Sequence, residues 1–378
     1  MRNMSKDTYK YLQENSLKSI FERLKFDYHN HDPLRIVIFG YFGMRNIGDD
    51  AILETEINEL RELNYTSSIY APSRYPEVVR KQFGIKSSRF GNFPKLIREL
   101  FRANLFIFGG GGLFCSTNSS SYMLQFSDFM FTVYKTLFFL IIPKLLGKTV
   151  IVYGVGYYNN QNWLNKSINL LGLSFADYIS VRDTHSFTSL RKTLKNKKVY
   201  LHKDVAFSLA KKTSNKIDLE KFKIKKNNKN IAISLIPFSD EVKFMTVFDS
   251  LIELIKTSDK KTHFYFLPYF TNPDAHNDLN IAHKMAEILG SQNLFTIVDP
   301  SIGPKGYLEL FSHMQGAVCM RFHAQVFAYI KGVPMLGISY DKKCESFLND
   351  TGTDYINLRT TTNDNVKASL EKFIVKYA

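Results

Sequence analysis

The stretch Leu34-Arg-Ile-Val-Ile-Phe-Gly40-Tyr-Phe-Gly43-Met-Arg-Asn46-Ile-Gly48-Asp49-Asp50-Ala-Ile-Leu53 decides how the chain is read. Its β-branched and aromatic run Arg35–Phe39 reads as a buried strand, and the amphipathic stretch Asp50–Glu62 as the helix that follows. Between them Gly40, Gly43 and Gly48 let the backbone turn tightly and approach a ligand, and the helix N-terminus offers free N–H groups and a positive dipole end. A purely structural reading stands beside this one, with Asp49 capping the helix and the glycines serving close packing. The glycine spacing is not GxGxxG, so the turn is no dinucleotide fingerprint.

The same strand-to-helix unit recurs along the chain, the pattern that gives parallel strands with crossover helices. Strands are expected at Ser68–Tyr70, Leu105–Phe108, Thr149–Tyr153 and Tyr178–Val181, with helices at Tyr122–Leu146, Trp163–Phe175 and Ser186–Lys195. With Arg35–Phe39 these strands make one sheet. The polar run Lys211–Asn230 breaks the rhythm, which restarts with strands at Ile231–Leu235, His263–Leu267, Leu294–Val298, Gly316–Met320 and Met335–Ile338. Helices are expected at Val242–Lys256, Ala275–Leu289, Gly306–His313 and His323–Lys331.

The chain therefore divides into an N-terminal extension (1–33), a Rossmann-like domain carrying the glycine-rich loops (34–210), a linker (211–229) and a second Rossmann-like domain (230–378). Its last helix, Val366–Tyr377, is free to pack back on the first domain. A length of 378 residues suits two cores better than one. The fold class is α/β, and two parallel-sheet domains facing a cleft resemble the GT-B arrangement, in which ligands sit at the carboxyl ends of the strands.

Fifty Lys and Arg against 35 Asp and Glu leave a formal charge of +15, which points to anionic partners. Nucleic acid is disfavoured, because the basic residues are not interleaved with aromatics in a recognisable motif. Many of the lysines stand in the linker and read as a solvated run. Cys115, Cys319 and Cys344 show neither CxxC spacing nor a nearby histidine, which argues against a zinc site and a disulfide framework and fits a reducing cytoplasm. No signal-peptide apolar region is seen near the N-terminus. The greasiest segment, Phe126–Leu146, is interrupted by Asp128, Lys135, Pro143 and Lys144, and reads as a buried or membrane-facing helix.

Four further segments carry chemistry. Gly109-Gly110-Gly111-Gly112 follows a strand and is suited to a nest of N–H groups around an oxyanion. Arg182 ends the next strand as a candidate anion ligand, with Asp183 or Ser186 placed to cap the following helix. Arg321 and His323 end an apolar strand and open an apolar helix, offering forked recognition of phosphate or carboxylate beside a group that exchanges protons near neutral pH. Tyr340-Asp341-Lys342-Lys343 ends another strand with a cation for the same anion pocket.

In this order the segments resemble the polysaccharide pyruvyl transferase family. Gly40 to Ala51 is similar to its G-x-x-G-x-x-N-x-G-D-[ED]-A signature, Gly109–Gly112 to its GGG loop, Val181–Ser186 to its RD…S segment, Arg321-Phe-His323 to its R-x-H motif, and Tyr340–Lys343 to its Y-D-x-K element. Arg45 stands where a small residue is expected and Lys342 where the family commonly has proline, which leaves Lys342 and Lys343 as alternatives. The resemblance implies a GT-B-like fold and transfer of the enolpyruvyl group of phosphoenolpyruvate to two hydroxyls of a sugar, with no metal or organic cofactor. It implies that Arg182, Arg321 and Lys343 hold phosphoenolpyruvate and that His323 is the general acid/base. Gly43, Asn46, Gly48, Asp49, Gly110, Gly111 and Gly112 are then candidate acceptor or anion loops. The positive charge and aromatic richness suit a lipid-linked acceptor and peripheral contact with the inner membrane. The rival readings are a nucleotide-sugar glycosyltransferase on the same scaffold and a non-catalytic anion-binding relative.

Overall fold

The computed structural model describes residues 16–28, 33–63, 68–114, 122–158, 162–212, 222, 224, 228–273, 277–290 and 294–378. They form two compact units: one takes the described residues up to Met44 together with Asp49–Ser208, the other Arg45–Gly48 together with Leu209–Ala378.

The first unit holds β1 (Arg35–Phe39), β2 (Ser68–Tyr70), β3 (Leu105–Phe108), β4 (Gly111–Phe114), β5 (Thr149–Tyr157), β6 (Tyr178–Val181) and β7 (Val199–Leu201). They form a parallel sheet in the order β2-β1-β3-β5-β6-β7, with β4 paired to β5. Runs such as Leu105–Phe108 are buried along their whole length, as expected of strands covered by helices on both faces. Two of these strands escaped the sequence reading. β7 has three residues, and β4 starts inside the glycine run, so Gly111 and Gly112 lie in a strand and not in a loop.

The second unit holds β8 (Lys229–Ser234), β9 (Thr262–Phe266), β10 (Phe295–Ile297), β11 (Gly316–Cys319), β12 (Met335–Ser339) and β13 (Tyr355–Asn357). All are parallel, in the order β10-β9-β8-β11-β12-β13. The glycine-rich turn, the strand end at Cys319 and the strand end at Ser339 each run directly into a helix, so their polar residues stand at carboxyl ends of parallel strands.

Three expectations need correction. The N-terminal extension is no appendage from residue 16 onward: the helix Leu17–Leu24 buries Leu17, Ile20 and Phe21 in the first unit's core, and the Leu17 N–H donates to Glu59 Oε2 at 2.8 Å. The last helix, Asn363–Tyr377, buries Val366, Leu370 and Ile374 in the core of the second unit's own sheet. Within the run read as a solvated linker, Phe222 and Ile224 are buried. Most of that run lies outside the described residues, as does Cys115.

The segment expected as a buried or membrane-facing helix is helical from Tyr122 to Thr136, π-helical over Leu137–Ile141 and helical again to Leu145. Pro143 has no N–H to give and its ring crowds the carbonyl four residues back, which accounts for the wider turn just before it. Only Phe139 and Leu140 of its large apolar side chains are fully buried. The outer face is exposed, because apolar spacing defines a stripe without saying which side meets the core.

Candidate functional site

In the second unit, β11 and the residue after it are fully buried, and Arg321 then occupies the N-cap position of the helix Phe322–Ile330. Its guanidinium grips Asp278 as a fork: Nε donates to Oδ2 at 2.9 Å and Nη2 to Oδ1. Asp278 is completely buried, and its Oδ2 also accepts the N–H groups of Tyr269 and Phe270, each at 3.0 Å. Burial pushes the Asp278 carboxyl upward from its ordinary range, while Arg321 and the two amides pull it back toward the ionised form. The Arg321 side chain keeps 14% exposure, and its guanidinium lies 5.6 Å from the centroid of the Phe270 ring. Asp278 thus aims the arginine and leaves part of its donor edge open.

Residues Arg45–Gly48 strap onto this part of the second unit. The Ile47 N–H donates to Tyr269 O at 2.9 Å, the Thr271 N–H to Arg45 O at 3.0 Å, and Asn46 forms an antiparallel bridge with Phe270. Arg45 adopts φ 58°, the left-handed region that L residues seldom enter, which is why a small residue is the easier fit there. Asn46, and not Asp49, stands just before the helix and accepts the Gly48 N–H at 3.1 Å, because the helix begins at Ile47. Gly48 rests against His323: a Cβ at that position would stand 1.9 Å from Nδ1. Asn46 and Gly48, expected in an acceptor loop of the first domain, therefore join the unit that carries Arg321 and His323.

Tyr340 follows β12, and Asp341 caps the helix Lys342–Thr351 by accepting the Cys344 N–H at 3.0 Å. The helical turn separates the two lysines. Lys342 is 61% exposed and pairs with Glu345 at 2.9 Å, whereas the Lys343 ammonium lies 5.4 Å from the centroid of the Tyr340 ring and 3.2 Å from Asp341 Oδ2. Burial holds the Tyr340 phenol above its ordinary range; Lys343 and Arg321 both act on it in the opposite sense. Tyr340 is thus the electrostatic neighbour that Lys343 and Arg321 share, which favours Lys343 over Lys342.

The first unit treats its motif residues differently. Asp50 is buried and accepts the Gly43 N–H at 3.0 Å, tying the turn to the helix. Gly43 itself has φ 66°, and a Cβ there would meet Val79 Cγ2 at 2.5 Å, so glycine is required twice over. Burial pushes the Asp50 carboxyl up to about 7; the Gly43 amide opposes this, while Asp49 and Glu54 add to it. Below the glycine run lies Glu56, fully buried, its carboxyl oxygens 3.0 and 3.1 Å from where a Gly109 Cβ would stand. Burial first, then Glu59, raise its pKa well above the ordinary range, and the Gly110 amide opposes this. A Gly111 Cβ would be 3.1 Å from Asp49 Oδ1, which brings Asp49 and the glycine run together.

Arg182 departs from expectation. Its side chain is 2% exposed, and Nη1 donates to Asp204 Oδ2 at 2.9 Å within the interior of the unit. The neighbouring segment is a capping network: Asp183 accepts the Ser186 N–H at 2.8 Å, and the hydroxyls of Tyr158 and Ser186 at 2.8 and 2.9 Å. A charge compensated and buried in this way holds strand ends and helix together, and does not present an open anion ligand.

Sequence reasoning missed Asp278, Asp204 and Glu56. An acidic residue in the first turn of a helix reads as a dipole partner, so nothing distinguished Asp278 from ordinary helix chemistry.

Two parallel-sheet α/β units of this kind define a GT-B-like fold. UDP-GlcNAc 2-epimerase from Methanocaldococcus jannaschii superposes with a TM-score of 0.60 at 12% identity, covering 90% of this chain and 92% of that one. The UDP-GlcNAc 2-epimerase from Neisseria meningitidis bound to UDP-GlcNAc gives 0.57 at 16% identity, covering 91% of each chain. A glycosyltransferase from Rickettsia africae gives 0.51 at 12% identity, covering 92% of this chain and 94% of that one. No curated protein matches the chain in sequence. Residues 46–342 match the sequence pattern of the polysaccharide pyruvyl transferases, and the chain belongs to that family. The matched span begins at Asn46 in the strap, includes Arg321 and His323, and stops one residue before Lys343.

Proposed function

We propose that the protein transfers the enolpyruvyl group of phosphoenolpyruvate to two hydroxyls of a sugar in a cell-surface or capsular polysaccharide, or its precursor, forming a pyruvate ketal and releasing phosphate. The observation that carries this reading is the arrangement Asp278–Arg321–His323–Gly48 inside one unit. It combines a pre-aimed forked cation with an imidazole seated on bare backbone. Phosphoenolpyruvate packs a phosphate and a carboxylate into a small volume, so fixed cations must offset its desolvation. Arg321 and Lys343 supply that charge.

The proton balance gives His323 its role. One acceptor hydroxyl adds to C2 of the enol phosphate as C3 takes a proton, the C2–O bond to phosphate breaks, and the second hydroxyl closes the ketal. Of the two hydroxyl protons, one ends on C3 as part of the new methyl group and the other leaves with phosphate. A group that accepts and returns protons near neutral pH serves both transfers, and His323 is that group. In the first unit, Asp49, Gly110 and the start of β4 at Gly111 and Gly112 are the acceptor-side residues of the proposal. No metal or organic cofactor enters it, and phosphoenolpyruvate is the co-substrate. The reading places the reaction in the cytoplasm.

The test is thermal stabilisation by phosphoenolpyruvate beside UDP, GDP and inorganic phosphate at matched ionic strength. Selective stabilisation by phosphoenolpyruvate, retained in His323→Ala with phosphate release abolished, is the expected result. Stabilisation by a nucleoside diphosphate alone would replace this reading with a nucleotide-sugar glycosyltransferase.

A further inference from the structure

Three helices of the first unit lie side by side over one face of its sheet. Leu96, Leu100, Phe139, Leu140 and Leu173 reach into the core from the helices Phe93–Arg102, Tyr122–Leu145 and Trp163–Phe175. Phe93 packs edge-on against Tyr134, with centroids 6.2 Å apart, and a Cβ on Gly172 would meet Thr136 at 2.5 Å, so the helices are immediate neighbours.

Each of them also turns large apolar side chains outward, and two of them bury polar ones. On the middle helix Thr132, Lys135 and Thr136 are buried, with Lys135 Nζ donating to the Leu113 carbonyl, while Met123 (81% exposed), Phe126 (65%) and Met130 (49%) face out. On the third helix Asn165 and Asn169 are buried, while Trp163 (74%), Leu164 (42%) and Leu171 (54%) face out. On the first, Ile97 and Phe101 are exposed. A water-facing helix places these types the other way round. So many exposed large apolar side chains on neighbouring helices mark a docking face.

Charge and aromatic placement specify the partner. Arg98 and Arg102 are exposed on the first helix, and beside Phe93 an open cavity of about 730 Å³ is lined by Arg80, Arg89 and Lys95. Trp163 and Tyr122, two of the most exposed aromatic residues, have the amphipathic rings favoured at the level of lipid headgroups. We propose that this three-helix face docks the protein on the anionic surface of a lipid membrane, apolar side chains entering the headgroup boundary and the arginines and lysines meeting lipid phosphates. The helix Tyr122–Leu145 is long and apolar enough to cross a bilayer, yet Phe139 and Leu140 anchor it in the core, so the contact lies on the membrane and does not span it. This inference does not depend on which donor the protein uses.

The test is co-sedimentation of the full chain with phosphatidylcholine vesicles, with and without phosphatidylglycerol, comparing wild type with Phe101→Asp/Leu171→Asp. Both positions are exposed, so the double variant should keep the wild-type thermal midpoint. The expected result is binding to the anionic vesicles, weakened by salt, and about tenfold weaker partitioning of the double variant. Absence of vesicle binding, or equal binding of the double variant, overturns the proposal. So does self-association by sedimentation velocity that the double variant abolishes while wild type ignores vesicles, which would make the face an interface between two copies of the chain.

Discussion

Gly48 and His323 are in direct contact through bare backbone: no side chain other than hydrogen fits between the helix start and the imidazole. Gly48 does not have a positive φ, so the constraint is steric and not conformational. Gly48→Ala should therefore fold, lose about 1–3 kcal/mol of stability from overpacking, and push the ring or the strap aside. A displacement near 1 Å at a proton-transferring group lowers turnover by about 100-fold. Phosphate release in the presence of an acceptor, measured beside the thermal midpoint, checks this. Wild-type turnover in the alanine variant would mean that the seat of the ring is irrelevant to the chemistry.

Arg321 serves Asp278 as much as any ligand, and this makes its replacement informative. Arg321→Ala leaves a buried carboxylate with two amides and no counter-charge, a loss expected to cost about 3–5 kcal/mol. Asp278→Asn keeps the shape and the amide contacts but releases the fork, so the arginine stays charged and loses its aim. That variant should fold with a smaller loss and bind phosphoenolpyruvate at least tenfold more weakly, read as a smaller thermal stabilisation at equal ligand. Undiminished affinity in Asp278→Asn would show that the arginine's orientation does not depend on the pair.

Arg182 should behave in the opposite way. Its pair with Asp204 is enclosed, with side chains 2% and 1% exposed. Removing either partner strands a buried charge, so Arg182→Ala or Asp204→Ala should cost about 3–5 kcal/mol of stability. The affinity of the remaining folded protein for phosphoenolpyruvate should be unchanged. Isothermal titration at a temperature where the variant is folded separates the two effects, and a loss of affinity with full stability would return Arg182 to the ligand site.

The strands were readable because a parallel sheet covered on both faces demands unbroken apolar runs, and Leu105–Phe108 or Gly316–Cys319 can hardly be anything else. β4 was not, because Gly111 and Gly112 have no side chains to carry a strand pattern, and β7 and β13 are too short to show a period. The motif residues Arg321, His323 and Lys343 were legible as types at strand ends, where ligands bind α/β sheets. What holds them was hidden: Asp278 reaches Arg321 across 43 positions of sequence, and Arg45–Gly48 joins the distant half of the chain. Which side of the Tyr122–Leu145 helix meets the core was hidden for a simpler reason. The period of 3.6 reveals that a helix has a greasy stripe, and only packing reveals that Thr132, Lys135 and Thr136 are buried with Phe139 and Leu140 while Met123 and Phe126 face out.

Asp50 gives the fold a pH dependence whose sign can be worked out. Its pKa rises from 3.8 to about 7 on folding, chiefly through burial, so between these values the folded state holds a proton that the unfolded state has released. Stability contributed by this group is therefore highest at acidic pH and declines as pH rises from about 4 to about 7; above that range the ionised buried carboxylate costs about 4 kcal/mol. Asp50→Asn keeps an oxygen to accept the Gly43 N–H and removes the ionisation. Thermal midpoints across this range should fall with pH in wild type and fall less steeply in the variant, which should be the more stable of the two at pH 8. Glu56, also raised by burial, shapes both curves alike, so the difference between them isolates Asp50. Parallel curves would mean that Asp50 ionises at its ordinary pH, and the turn at Gly43 would then be held by a full carboxylate throughout the neutral range.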